Sequence, residues 1–421
     1  MPRFLDLFAG AGGLSEGFLR AGYEAVAHVE MDAAACYTMK TRMAYHWLRK
    51  NNQLGLYTRY LNREITRDQF YEQVPKSVLA SVLNYEISAE TLPAIFAEVD
   101  ALVGNEPLDL IIGGPPCQAY SLAGRARSEN KMVGDQRNYL YRYYAEFLKR
   151  YKPKYFVFEN VLGLLSAKDE DGTLHFNNMR ALFRECGYST EFRPLNASDY
   201  GVLQNRKRII LIGIRGEYEG FYPEIPVVQN HCLVDELFED LPVIPAGGGT
   251  IHPVATGHYE GVYLYESGIK QYDTEPVTFH QARPHTKQDL EIYRIVVDTW
   301  NRNRTRVSYT DLPENLRTHK NTESFLDRFK VVAGDLPCAQ TVVAHIARDG
   351  HYYIHPDIAQ NRSLTPREAA RIQTFPDNYY FESKKGIPSR TLAFKQIGNA
   401  VPVCLAYHIA TALLDRFNGD S

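Results

Sequence analysis

Short apolar runs alternate with helical periodicity through the first half of the chain. Pro2 to Phe8 is an apolar stretch that breaks into Gly10, Gly12 and Gly13, and Leu14, Phe18 and Leu19 follow at helical spacing. This pattern predicts a strand, a tight loop and a helix. A second apolar run, Glu24 to Val29, ends in Glu30, and Asp32 stands where an N-cap is expected before a helix over Ala33 to Thr41. Further strands are predicted over Leu108 to Ile112, Tyr155 to Phe158 and Arg208 to Ile214, with helices over Tyr139 to Arg150 and Phe176 to Cys186 between them. The alternation predicts an α/β fold built on a doubly wound, mostly parallel sheet.

Two stretches interrupt this pattern. Tyr45 to Leu83 is rich in aromatic and charged residues at mixed helical spacing, and predicts a helical insert over about 45–85. Beyond Gly213 the chain turns to linkers rich in proline and glycine (Pro223, Pro226, Pro242, Pro245, then Gly247 to Gly249) and to short aromatic runs such as Tyr259 to Tyr265. We therefore divide the chain into a first domain over 1–246 and a second, smaller one over 247–380. Residues 381–421 return to the first, because Phe394 to Leu414 reads as an apolar loop and helix suited to its core. There is no internal repeat.

Composition narrows the class. With 421 residues, 44% hydrophobic and 23% charged, wholesale disorder and fibrous architectures are excluded. No uncharged apolar run approaching the roughly 18 residues of a membrane helix is read from the sequence, so a cytoplasmic protein with no membrane partner is expected. The six cysteines lie far apart with no CxxC pair, which points away from a zinc site or a redox dithiol, and no metal is expected. A formal charge of -3 gives no global sign of a polyanionic partner, so such a partner has to be sought in local patches. Between Gln118 and Lys154 there are nine basic and three acidic side chains, and Arg283 to Lys330 holds ten basic and seven acidic ones with Tyr293, Trp300 and Tyr309 interleaved. The first of these stretches, with its basic excess, suits phosphates.

Five local motifs carry candidate chemistry. Phe8-Ala9-Gly10-Ala11-Gly12-Gly13 lies between strand and helix with Glu30 closing the next strand, a pattern in which glycines admit close backbone approach and the acid accepts ribose hydroxyls. Ser15 replaces the third glycine of the dinucleotide fingerprint, which favours a nucleoside with a small appendage over a pyrophosphate. Gly113-Gly114-Pro115-Pro116-Cys117-Gln118 follows a strand directly, and two prolines fix the angle at which Cys117 is presented, as a nucleophile requires. Glu159-Asn160-Val161 places a half-desolvated carboxylate at a strand's carboxyl end, able to hold or share a proton with a ring nitrogen. Gln204-Asn205-Arg206-Lys207-Arg208 enters the strand Ile209 to Ile214, and alternation sends Arg206 and Arg208 to one face, one for phosphate and the other for a base carbonyl. Last, Gln396 to Pro402 puts Asn399 in a loop before a helix, where its amide meets a carboxylate or an amine.

Taken in order, FLDLFAGAGGLSEGF, GGPPCQAYS, ENV, QNRKR, RSLTPREAARIQTFPD (Arg362 to Asp377) and QIGNAVPV resemble the C5-cytosine DNA methyltransferases. The resemblance covers about 1–42, 108–214 and 337–415, and the overall size is similar to that of bacterial restriction-modification methylases. It implies a Rossmann-like catalytic domain that uses S-adenosylmethionine and releases S-adenosylhomocysteine, joined to a DNA-recognition domain. The matching cofactor positions are Phe8, Ala9, Gly10, Ala11, Gly12, Gly13, Glu30 for the ribose, Met31 on the adenine, Pro116, Leu140, Asn399, Ala400 and Val401. Where the family often has an Asp reading the adenine amine, this chain has Glu86-Ile87.

The resemblance further implies that Cys117 adds to C6 of cytosine, that Glu159 contacts N3 and the exocyclic amine, and that Arg206 and Arg208 steady O2 and phosphate. The target cytosine must leave the duplex to meet Cys117. Ala119 to Arg137 is then a natural closing loop, with Gly124 and Gly134 as hinges. Gln118, Ser121, Arg125 and Arg127 are nucleic-acid contacts there, and Arg302, Arg304 and Arg306 are the densest candidates for reading the recognition sequence. The implied partners are double-stranded DNA and a cognate restriction endonuclease, with the protein a monomer. Competing readings are a tRNA-methylating relative, an exocyclic-amine methyltransferase, a nicotinamide oxidoreductase and a catalytically silent DNA-binding protein. Cysteine in the Pro-Pro motif argues against the second, and Cys117 with Glu159 and paired arginines argues against the third.

Overall fold

The computed structural model describes residues 1–116, 139–169, 171–319 and 326–419. In chain order the elements are β1 (Arg3–Leu7), α1 (Gly13–Arg20), β2 (Glu24–Glu30), α2 (Ala33–Lys50), α3 (Leu54–Leu61), α4 (Arg67–Glu72), α5 (Lys76–Ala80), β3 (Val82–Asn84), α6 (Leu92–Val103) and β4 (Leu110–Gly113). There follow α7 (Leu140–Tyr151), β5 (Tyr155–Asn160), α8 (His175–Glu185), β6 (Tyr188–Asn196), β7 (Lys207–Arg215), β8 (Gly249–Thr250), α9 (Tyr263–Glu266), β9 (His280–Gln281), α10 (Lys287–Asn303), α11 (Pro366–Ile372), α12 (Arg390–Asn399) and α13 (Val403–Gly419). Strands β1 to β7 form one sheet in the order β3-β2-β1-β4-β5-β7-β6. All neighbours are parallel except β7, which runs antiparallel to both β5 and β6. The fold is therefore the expected α/β, doubly wound, mostly parallel sheet.

Alternation along each strand sends side chains to two covered faces, which is why these strands read as nearly continuous apolar runs. Phe4, Leu110, Ile112, Val157, Ile210 and Ile212 pack on one face with Phe18 of α1 and Leu405, Ile409 and Leu413 of α13. Leu5, Leu7, Ile111, Phe156, Phe158 and Leu211 pack on the other with Tyr144 and Phe147 of α7 and Phe183 of α8. Gly17 allows α1 and α13 to touch, since a Cβ there would stand 2.4 Å from the Cβ of Ala406. The window Arg390–Phe417 is long and apolar enough for a membrane span, contrary to the sequence expectation. Its 18-residue apolar part, 397–414, carries no Asp, Glu, Lys or Arg, and 72% of that part is buried inside the protein.

The insert is helical, as expected, but α2 runs on to Lys50 instead of ending at Thr41. Asp32 caps its start, accepting from the Ala34 and Ala35 amides, and buried Ala44, Tyr45 and Leu48 continue the apolar face. That face, together with Tyr57, Tyr60 and Phe70, shares a core with Val277, Phe279, Phe375, Tyr379 and Phe381. A separate cluster joins Tyr293, Val297 and Trp300 of α10 to Tyr309, Phe329, Val331 and Ile354. Arg362 to Asp377 contributes Leu364, Ala369, Ile372 and Phe375 to the first of these cores, and its Arg362, Arg367 and Arg371 are fully buried. Arg362 pairs with Glu368 at 2.7 Å, Arg371 pairs with Asp377 at 2.6 Å and Asp240 at 2.5 Å, and Arg367 donates to the Thr278 carbonyl.

Candidate functional site

Parallel strands deliver their carboxyl ends to one edge of the sheet, and the order reverses between β1 and β4, where ligands of such sheets bind. The glycine loop leaves β1 at this edge. Phe8, Gly10 and Gly12 have φ of 60°, 56° and 79°, so the backbone alternates into the left-handed region. Glu30, at the end of β2, closes the loop from outside. Its Oε2 accepts from the Gly10 amide at 2.8 Å and its Oε1 from the Asp32 amide at 2.7 Å. Burial raises this carboxyl above its ordinary value, against the two amide hydrogen bonds. Gly13 packs on the last loop of the chain, where a Cβ would stand 2.3 Å from the Val401 carbonyl oxygen. Loop Phe8–Gly13, Glu30, Ala400 and Val401 are thus brought together.

The remaining cofactor candidates differ in exposure and in how they are tied to this loop. The Tyr85 amide donates to the Glu30 carbonyl, which carries the chain beyond β3 alongside β2. There Ile87 is buried whereas Glu86 is exposed. Met31 is 57% exposed, and Asn84, a residue missed in the sequence, holds the Glu30 and Met31 carbonyls through its amide at 3.0 Å each. Asn399 is exposed, and Leu140 is half-buried at the start of α7. Asp6 and Ser15 were also overlooked. The Ser15 hydroxyl donates to the buried Asp6 carboxyl at 2.8 Å across the base of the glycine loop, and burial lifts that carboxyl to about 8.

The second half of the site lies where β4 and β5 end. Gly113 (φ 146°) and Gly114 leave no space for a Cβ, which would stand 2.1 Å from the Leu7 carbonyl oxygen and 2.4 Å from that of Glu159 respectively. Asn160 donates to the Pro115 carbonyl at 3.3 Å, so the ENV tripeptide holds the chain just before Pro116. Because β7 is antiparallel, its first residues reach this same edge. Arg208 Nε contacts Glu159 Oε1 at 2.8 Å, both side chains being largely buried. Cys117, Gln118, Ser121, Arg125 and Arg127, with the closing loop Ala119 to Arg137, lie outside the described residues.

Arg206 behaves differently from the sequence expectation of a shared face with Arg208. It precedes β7, is fully buried, and donates to the Val342 carbonyl at 2.6 Å and the Gly398 carbonyl at 3.4 Å. Gln204, also buried, accepts from the Val342 amide and donates to the Ile372 carbonyl. The two side chains therefore fix 341–343 and the Gly398 turn beside the start of β7. Arg302, Arg304 and Arg306 each engage a nearby side chain. Arg302 contacts Asp298 at 2.9 Å, Arg304 contacts Asp335 at 2.8 Å, and Arg306 lies over the Trp300 ring.

A family model of C-5 cytosine-specific DNA methylases matches residues 2–53 and 97–415, and the unmatched gap falls on the insert. Type II methyltransferase M.Bpa9945I of Bacillus paralicheniformis is 41% identical over 99% of both chains. Type II methyltransferase M.DdeI of Desulfomicrobium norvegicum is 30% identical over 96% of this chain and 87% of its own. A prophage-encoded protein of E. coli, described as a DNA modification methyltransferase, shares the fold with a TM-score of 0.63 at 22% identity, covering 99% of this chain and 100% of the other. The ordered motifs, the edge on which they converge and the extent of these matches identify the chain as a member of the C-5 cytosine-specific DNA methylase family.

Proposed function

We propose that this DNA cytosine methyltransferase takes a flipped cytosine from duplex DNA and methylates C5 through a transient bond between Cys117 and C6. The observation that carries the reading is the Glu159–Arg208 pair, 2.8 Å apart, at the strand ends from which Gly114-Pro115-Pro116 leads to Cys117. Cytosine C5 is a poor nucleophile while the ring is aromatic. Addition of the Cys117 thiolate to C6 moves an electron pair toward N3, where Glu159 donates a proton or hydrogen bond, and leaves C5 electron-rich. Arg208 keeps the Glu159 carboxyl oriented and offers its guanidinium to O2. After C5 has taken the methyl group, loss of H5 to a base lets the Cys117–C6 bond break and restores the ring.

The residues around the glycine loop fit S-adenosylmethionine. The left-handed turn without side chains at Gly10 and Gly12, and the Glu30 carboxylate with lone pairs left for two hydroxyls, suit a nucleoside with a short charged tail. When bound, the cofactor supplies an electrophilic methyl group on sulfur. Glu30 would hold its ribose, the Phe8–Gly13 loop and Asn399 its amino-acid part, and Ile87 with Met31 the adenine. Arg206 anchors the Gly398 turn next to Asn399 in this arrangement, so its part is to position rather than to touch the base.

We further assign target recognition to 247–380, with Arg302, Arg304 and Arg306 as the candidate readers, and phosphate contacts to the basic stretch 118–154. The protein acts as a cytoplasmic monomer that protects host DNA from an endonuclease of the same specificity. Bisulfite sequencing of DNA from cells expressing the protein tests the reading. One short motif methylated at C5, lost with Cys117→Ala although cofactor and DNA still bind, is the expected result. Methylation retained by Cys117→Ala rules out the covalent route, and radiolabel entering tRNA but not duplex DNA rules out the substrate.

A further inference from the structure

The peptide unit between Ala11 and Gly12 is held at both ends. Its N–H, on Gly12, donates to the Ala9 carbonyl at 2.9 Å within the glycine loop. Its carbonyl, on Ala11, accepts from the Tyr379 hydroxyl at 2.5 Å, from a residue 368 positions later in the chain. Ala11 and Tyr379 are both buried, so water does not stand in for either partner. Gly12 must be glycine for two reasons: its φ is 79°, and a Cβ would stand 2.1 Å from Met39 Sδ and 2.9 Å from the Tyr379 oxygen.

Tyr379 is itself held from several sides. Arg367 donates to its carbonyl at 2.8 Å, and the Arg42 guanidinium lies 4.8 Å from its ring centroid while pairing with Glu16. The segment around it is strapped down by the insert, where Tyr57 donates to the Asn378 carbonyl, Tyr60 to Glu382, and Arg67 to the Ser383 and Lys384 carbonyls. Burial, reinforced by nearby Glu16, pushes the Tyr379 phenol far above its ordinary range, so it remains a donor at every working pH.

We infer that Tyr379 is a positioning residue for the cofactor: its hydroxyl fixes the Ala11–Gly12 peptide, and so the loop geometry that receives S-adenosylmethionine. This rests on the proposal that Phe8–Gly13 and Glu30 form the cofactor site. Without the hydroxyl a buried carbonyl loses its partner and the loop relaxes toward conformers that must be reordered on binding.

The test is calorimetric titration of the full chain with S-adenosylhomocysteine, without DNA, for wild type, Tyr379→Phe, Tyr188→Phe and Glu30→Gln. Tyr188 is the matched control, a buried phenol donating to the Pro153 carbonyl at 2.9 Å at the far end of β6. Tyr379→Phe should weaken binding by about 5- to 30-fold, the size of one lost buried hydrogen bond, whereas Tyr188→Phe keeps the wild-type constant while losing comparable thermal stability. In turnover the change should fall on the cofactor KM more than on kcat. Equal effects of Tyr379→Phe and Tyr188→Phe, or no effect of Tyr379→Phe alongside a clear loss with Glu30→Gln, overturn the role of Tyr379. No loss with Glu30→Gln removes the cofactor site itself.

Discussion

Gly114→Ala probes the site sharply because the structure has no room for one added methyl group. A Cβ at 114 would stand 2.4 Å from the Glu159 carbonyl oxygen and 2.7 Å from Glu159 Oε2, where ordinary contact begins at 3.4 Å. About 1 Å of movement is needed, and the carbonyl cannot supply it. Strand β5 is paired on both sides, Phe158 with Gly113 and Glu159 with Ile210. The carboxyl group and the 114–116 segment must yield instead, which disturbs both the Glu159–Arg208 contact and the course of the backbone as far as Pro116. Misplacing a reacting group by about 1 Å costs on the order of 100-fold in rate. Overpacking of this kind costs about 1–3 kcal/mol of stability. The assay is single-turnover methylation of a duplex carrying the mapped site, run beside a thermal melt and a DNA-binding titration. The expected variant is folded, binds DNA and reacts about 100-fold more slowly. A folded variant with the wild-type rate would falsify the placement of Glu159 at the reacting centre.

Other perturbations test the frame around it. Burial, partly offset by the Ser15 hydrogen bond, lifts the Asp6 carboxyl from its ordinary 3.8 to about 8, so its folded form holds a proton that the unfolded chain releases. Its contribution to stability is full below pH 3.8 and is lost as pH rises through about 8. Asp6→Asn should therefore flatten the melting temperature between those limits and exceed wild type at pH 9; an unchanged slope contradicts the burial argument. Gln204→Leu removes the acceptor for the Val342 amide and the donor for the Ile372 carbonyl, and should cost on the order of 3 kcal/mol in a denaturant titration. A loss below about 1 kcal/mol would show that neither bond matters. Gly55, exposed in α3 with nothing within 4 Å of its Cβ position, should accept alanine with a gain of about 0.5–1 kcal/mol, and a lower melting temperature would count against the helix there.

The core strands of the sheet were legible because their periodicity reports burial. Helices cover both faces of β1, β4, β5 and β7, and each shows as an apolar run bounded by glycine, proline or charge. The strands missed from the sequence lack that signature. Strand β3 is three residues long, and β6 lies at the edge of the sheet with mostly half-buried or exposed side chains and Pro194 within it. The antiparallel direction of β7 was also unreadable, since pattern reports which faces are covered and not which way the chain runs. Yet that direction brings Arg208 to Glu159, because a parallel β7 would begin at the opposite edge.

The same distinction separates the candidate site residues. Gly10, Gly12, Gly13, Glu30, Gly114 and Glu159 stand out locally, as glycines or acids at the carboxyl ends of apolar runs. Gln204, Arg206, Gln373 and Tyr379 acquire their roles only from segments that arrive later. Arg206 reaches carbonyls 136 and 192 residues away, and Gln373 donates to the Ile397 and Ala400 carbonyls that shape the last loop. A basic strand start and a glutamine in a helix cap look ordinary until those carbonyls are in place. It follows that the edge formed by the first 214 residues is incomplete by itself. The turn at Gly398 packs so closely on 343–344 that a Cβ would stand 2.3 Å from the Ala344 amide, and Arg206 ties both to the strand that carries Arg208. The last turn of α12, the 343–344 segment and the start of β7 are thus packed and hydrogen-bonded as one unit at this edge of the sheet.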